Sequence, residues 1–198
     1  GIPESVFQIL HLDHASTSKI ISDHRINHVL FTGSVSGGRE VKKAIGTRFI
    51  GAGLELGGKD PSYVRSDCNF EHAIENLVDG SYFNSGQSCC GIERIYVDES
   101  IFANFVDAFK AQTEKYTLDN PLNESTNLGP VVKLSAANNI RNQVAKAINE
   151  GAKNIIDGSK FKKDNSENCY VSPSALINVN HKMEFMLSLI HIRRCRRV

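Results

Sequence analysis

Short extended-looking apolar runs alternate along this chain with segments whose apolar residues recur at helical spacing, and that alternation constrains the fold most. Residues 6–10 and 28–32 read as strands, with a polar helix around 18–23 between them. A glycine segment at 33–38 precedes a helix over 39–45, and 53–56 and 62–64 turn extended again. Asn69 is placed to cap a helix reaching about Phe83, with Ala73, Ile74, Leu77 and Val78 on one face. Residues 94–97 give the next strand. Ser100 then heads a helix in which Ile101, Phe105 and Phe109 recur every fourth position, a core-facing stripe. A loop with Pro121, Gly129 and Pro130 leads to a helix carrying Ile140, Val144, Ala147 and Ile148 on one face. Gly151 is placed just past its end. Residues 153–156 read as a strand, and 171–179 as an extended stretch broken by Pro173. Strands separated by helices predict an α/β fold with parallel crossovers.

The chain has 198 residues and a mass of 21.8 kDa, which fits one large domain or two small ones. Clustered glycines put a boundary near 53–61. With 40% hydrophobic and 23% charged residues the composition is that of a globular protein. No apolar run approaches the roughly 20 residues of a membrane span. A net charge of +1 argues against nucleic-acid and membrane-surface partners. That balance depends on the last twelve residues, which hold four arginines and no acid; without them 19 basic face 22 acidic residues.

Five cysteines, two of them adjacent, make a poor disulfide framework and point to a reducing, cytoplasmic compartment, with a mitochondrial one left open. No metal site is expected: there is no CxxC, and His11 and His14 lack zinc-site spacing.

The glycine-rich segments invite phosphate readings, and two fail at the residue that would carry the chemistry. Gly53 through Lys59 has P-loop spacing, but Asp60 stands where a magnesium-binding hydroxyl belongs, and Pro61 follows. Gly51-Ala52-Gly53 begins a dinucleotide fingerprint that has Leu56 in place of its third glycine. The segment Phe31-Thr32-Gly33-Ser34, continuing to Gly38, is better placed, because it follows a strand and opens a helix. Free amides there suit either a pyrophosphate or an ordinary tight turn.

Two single residues also stand out. Cys89 lies in a polar, glycine-bearing turn, where a thiol acts as a nucleophile if its surroundings activate it, or else packs as a small hydrophobe. Glu55 sits within an extended apolar and glycine run, where a carboxylate is costly unless it has a task or a partner.

Together these segments carry a resemblance. Glu55-Leu56-Gly57-Gly58-Lys59-Asp60-Pro61, followed by Phe83-Asn84-Ser85-Gly86-Gln87-Ser88-Cys89, closely resembles the paired signatures of the NAD(P)-dependent aldehyde dehydrogenase superfamily. Phe31 to Ser34 with Gly38 match its cofactor-side turn, Arg94 and Val97 the strand after the cysteine, and Leu128-Gly129-Pro130 a further landmark. The resemblance runs from Gly1 to about Met186. It implies the end of a Rossmann-type NAD(P)-binding domain at 1–54, most of an α/β catalytic domain at 55–186, and an aberrant basic tail at 187–198.

It also implies roles. Cys89 is the nucleophile toward an aldehyde, its own N–H helps hold the oxyanion, and Glu55 activates water to release a thioester. Gly33, Ser34, Gly38, Leu56 and Gly57 are cofactor-side residues for NAD or NADP. The partner is a small aldehyde, and full-length members are homo-oligomers. Family chains are more than twice this length, and the lysine, asparagine and acidic Phe-Gly-Pro motifs that flank these signatures are missing. The expectation is therefore a fragment with little activity alone. The alternatives are a non-catalytic binding module of the same fold and, less well supported for want of a nearby histidine, a cysteine hydrolase.

Overall fold

The structure is a computed structural model that describes residues 1–186; the basic tail expected at 187–198 lies outside the described residues. Two compact units follow one another, Gly1–Gly57 and a second that begins at Gly58.

The first unit is a strand–helix–strand motif with one helix before it. Helix α1 (His14–Ser22) starts where the Asp13 carboxylate accepts from the Ser16 N–H at 2.7 Å. Strands β1 (His28–Gly33) and β2 (Gly51–Leu56) pair in parallel, joined through helix α2 (Val35–Ile45). Helix α2 starts four residues before the predicted Arg39. The Ser34 hydroxyl accepts from the Gly37 N–H at 3.1 Å, and this cap offsets the cost of two glycines in the opening turns. Ile21, Val41 and Ile45 form the small core. Arg48 closes it from the side, donating to the carbonyls of Ile21, at 2.7 Å, and Ile26. The strand expected at 6–10 does not form. Val6, Ile9 and Leu10 are exposed there, and among the described residues no strand pairs with them, so their backbone stays irregular.

The second unit opens with β3 (Asp60–Val64), helix α3 (Phe70–Tyr82) and β4 (Ile92–Val97), another parallel crossover. Asn69 caps α3 as expected, accepting from the His72 N–H at 3.3 Å. Val64, Ile74, Leu77 and Val78 close over Phe105 and Phe109 from α4 (Phe102–Thr113). The two phenylalanine rings lie 5.8 Å apart, and burial of each contributes about 1.5–3 kcal/mol. Ser100 is not the cap foreseen. Asp98 holds a single 3₁₀ turn ahead of α4 by accepting from both the N–H and the hydroxyl of Ser100.

Helix α5 (Leu134–Asn149) buries Ala137 and Ala147 but leaves Ile148 exposed, and Gly151 follows at φ 106°, a left-handed conformation that suits glycine. Strands β5 (Lys153–Asn154) and β6 (Leu176–Ile177) are shorter than predicted and antiparallel, against the expectation of parallel pairing. The Asn154 side chain accepts from the N–H groups of Ile156 and Ala175, so it bonds where the ladder would otherwise continue.

Candidate functional site

In the first unit the parallel register sets the predicted cofactor-side residues next to one another. Thr32 stands opposite Glu55, and Gly33 opposite Leu56. A Cβ on Gly38 would lie 3.0 Å from the Leu56 side chain, so helix α2 approaches the strand end closely there. Gly33 and Gly37 both face the Phe31 ring, at 2.7 and 2.6 Å from a would-be Cβ. A side chain at either position would have to push the Phe31 ring aside. Gly57 has open space around it.

The Glu55 carboxylate is exposed on the outer side of β2, while Leu54 and Leu56 turn inward. This corrects the sequence argument, in which apolar neighbours make the acid costly: strand alternation sends the carboxylate away from them.

In the second unit Cys89 lies at an exposed turn between α3 and β4. The predicted alternative of a small buried cysteine does not hold. The chain reaches it through three successive residues in left-handed conformation: Asn84 at φ 51°, Ser85 at 57° and Gly86 at 74°. Backbone of this kind persists only where surrounding contacts hold it. Ser85 donates its hydroxyl to the Gly129 carbonyl at 2.9 Å. The Gln87 side chain accepts from the Val132 N–H at 2.8 Å and donates to the Asn84 carbonyl at 3.2 Å.

A second brace comes from Gly58. A Cβ on Gly58 would stand 2.6 Å from the Cys89 carbonyl oxygen and would also strike the Asp60 carboxylate. Lys59, at φ 59°, pairs with Glu93, and its carbonyl accepts from the Arg94 guanidinium at 3.0 Å. Arg94 is only 7% exposed. The Gly58–Lys59 turn and the cysteine turn are thus seated together on the start of β4.

Sequence reasoning missed Ser85, Gln87, Gly58 and Arg94 as braces of the cysteine. Their partners across the chain lie 31 to 45 positions away, beyond any spacing rule; Asn84 and Gly86, residue types that tolerate left-handed backbone, were the available local signals. A cavity of about 630 Å³ lies behind the loop, with Lys59, Ser85, Gly86 and Arg94 in its wall, but Cys89 does not line it. Among the described residues no cluster of metal-ligating side chains occurs, and no helix is long and apolar enough to cross a membrane.

The sequence profile of the aldehyde dehydrogenase family matches residues 1–188. Among curated relatives, NAD(P)+ succinate semialdehyde dehydrogenase of Escherichia coli strain K12 is 33% identical over 92% of this chain. The 3-sulfolactaldehyde dehydrogenase of Priestia aryabhattai is 32% identical over 93%. The chain spans 39% and 37% of the length of these two proteins. Lactaldehyde dehydrogenase from Escherichia coli superposes with a TM-score of 0.79 at 30% identity, covering 86% of this chain and 35% of that one. Betaine aldehyde dehydrogenase from Staphylococcus aureus in complex with NAD+ superposes at 0.77 and 28% identity, covering 85% and 34%.

Proposed function

The chain belongs to the aldehyde dehydrogenase family, with its α/β fold, and from that premise we propose that it is the part of an NAD(P)-dependent aldehyde-oxidising enzyme that carries the nucleophile. One observation supports this above others: an exposed Cys89 on a left-handed loop braced by Gln87 and Ser85 on one side and Gly58 on the other. A thiol held in the open at such cost in backbone strain suits attack on a small electrophile.

The Cys89 sulfur attacks the aldehyde carbon to form a thiohemiacetal, and the Cys89 N–H stabilises the oxyanion. NAD or NADP, when bound, supplies the hydride acceptor that makes this adduct a thioester. The exposed Glu55 carboxylate takes a proton from water, and the resulting attack releases a carboxylic acid and frees the thiol.

The start of α2 fits an anionic cofactor. Gly33 and Ser34 are exposed, the first turn carries no acid, and the amides of Val35 and Ser36 have no acceptor within the helix. Gly38 and Leu56 pack beneath this turn. The substrate is a small aldehyde. Because the chain spans 37–39% of the length of the two curated relatives named above, oxidation is the activity of the whole protein, and the 198 residues alone are expected to reduce little NAD(P)+.

Hydrolysis of 4-nitrophenyl acetate tests the thiol without a hydride acceptor. The chain should release nitrophenolate, and Cys89→Ala should abolish the release. Glu55→Gln should retain the acylation burst and lose the steady turnover that follows. Hydrolysis indifferent to Cys89→Ala in a folded sample overturns the proposal and favours a non-catalytic module of the same fold.

A further inference from the structure

The described cysteines fall into two kinds. Cys68 and Cys169 are half-buried, and Cys68 packs against the core of the second unit. Cys89 and Cys90 are both exposed and adjacent. They occupy the two central positions of a turn closed by the Gly91 N–H donating to the Ser88 carbonyl at 3.2 Å. Gly91 is buried at the fourth position, where a Cβ would come within 3.2 Å of that same carbonyl, so the turn is tightly seated. The Ser88 hydroxyl lies 3.3 Å from the Cys90 sulfur and ties the second thiol to the same turn.

We propose that Cys90 is a resolving thiol, which captures an oxidised Cys89 as a reversible Cys89–Cys90 disulfide. The proposal rests on the reading of Cys89 as the reactive thiol. The oxidant is hydrogen peroxide. The Cys89 thiolate attacks the peroxide oxygen, the O–O bond breaks, hydroxide leaves, and a sulfenic acid forms. The Cys90 sulfur then displaces the sulfenic hydroxyl, the S–S bond forms, and the Cys90 proton leaves with that hydroxyl as water. Two electrons pass from the cysteine pair to the peroxide.

Two physical arguments favour capture and reversal. Neighbouring side chains on one turn meet at high effective concentration, without the closure of a long loop. Adjacent Cα atoms stand about 3.8 Å apart, short of the roughly 4.4–6.8 Å that unstrained disulfides span, so the bond is labile toward thiols. The capture diverts Cys89 from sulfinic acid, which thiols do not reverse. It also blocks the nucleophile while it lasts, so the turn works as a protective off-switch.

The test is peroxide treatment of the full chain, followed by iodoacetamide and peptide mass spectrometry, for the native sequence and for Cys90→Ser. In the native chain the peptide holding both thiols should lose two hydrogens, and dithiothreitol should restore full labelling of Cys89. In Cys90→Ser, Cys89 should gain two or three oxygens and stay unlabelled after dithiothreitol. Equal overoxidation of Cys89 in the two proteins overturns the proposal, as does a bond from Cys89 to Cys68, to Cys169 or to a second copy. If iodoacetamide fails to label Cys89 before any peroxide is added, the reading of Cys89 as the reactive thiol falls first; ready labelling without the disulfide removes the resolving role alone.

Discussion

Replacing Gly58 with alanine separates the position of the cysteine turn from the stability of the fold. The added methyl would lie 2.6 Å from the Cys89 carbonyl oxygen, and ordinary contact begins at 3.4 Å. The turn must therefore give way by about 0.8 Å, an overpacking that costs on the order of 1–3 kcal/mol. The Asp60 carboxylate, the other group in the way, is a side-chain end that can swing aside. Reduced freedom of the unfolded chain returns about 0.4–1 kcal/mol, so the net loss is about 1 kcal/mol and Tm falls by about 2–4 °C. The effect on chemistry should be much larger, because a displacement near 1 Å at reacting groups costs about 10²-fold. Gly58→Ala should thus cut Cys89-dependent ester hydrolysis by about 10- to 100-fold with little change in the melting curve. Gly57→Ala is the steric control, since nothing lies within 4 Å of its would-be Cβ, and it should leave the melting curve and iodoacetamide labelling of Cys89 unchanged. Native rates of both hydrolysis and labelling in Gly58→Ala would refute the wedge and the bracing argument built on it.

Gln87→Ala removes the acceptor of the Val132 N–H and should loosen residues 84–90, at a cost of about 0.5–1.5 kcal/mol, seen as faster hydrogen exchange across that loop. Asp164→Asn probes the acid limb of stability. Partial burial raises the Asp164 carboxyl, but bonds from the Ser172 hydroxyl and N–H and from the Arg141 guanidinium outweigh it, so its pKa is held below the ordinary 3.8. A depressed folded-state pKa stabilises above 3.8, and the contribution is lost as pH falls through the folded value. Asp164→Asn should therefore melt lower at pH 7, by about 1–3 kcal/mol, and converge on the native protein in strong acid. Curves that stay parallel down to pH 2 would remove this carboxylate from the acid response.

The elements with strong periodicity were legible in the sequence, and the irregular ones were not. Asn69 and the Phe105–Phe109 spacing forecast a cap and a core stripe that the structure contains, because each depends on residues within one helix. Residues 6–10 carry the composition of a strand and stay unpaired, since a strand exists only when a partner accepts its backbone bonds. The exposed Glu55 was misjudged for a related reason. Its apolar neighbours were read as its environment, whereas in a strand they occupy the opposite face. Cys89 was legible as a thiol in a glycine-bearing turn, but the groups that hold it were not.

Those groups explain why two signatures so far apart in the chain occur together. Gly58 leaves room for the Cys89 carbonyl, and Arg94 reaches back to the carbonyl of Lys59 next to it. A change in either turn is felt by the other through these two contacts, not through the thirty or so residues between them. Helix α3, which fills that interval, buries Ile74, Leu77 and Val78 and fixes where β3 and β4 begin. Gly58, the cysteine turn and Arg94 then behave as one mechanical unit on the edge of a packed core. Substitutions at Gly58 and Gln87 should accordingly be non-additive in thiol reactivity, because each releases the turn that the other also restrains. Strict additivity in the double variant would show two independent braces instead of one.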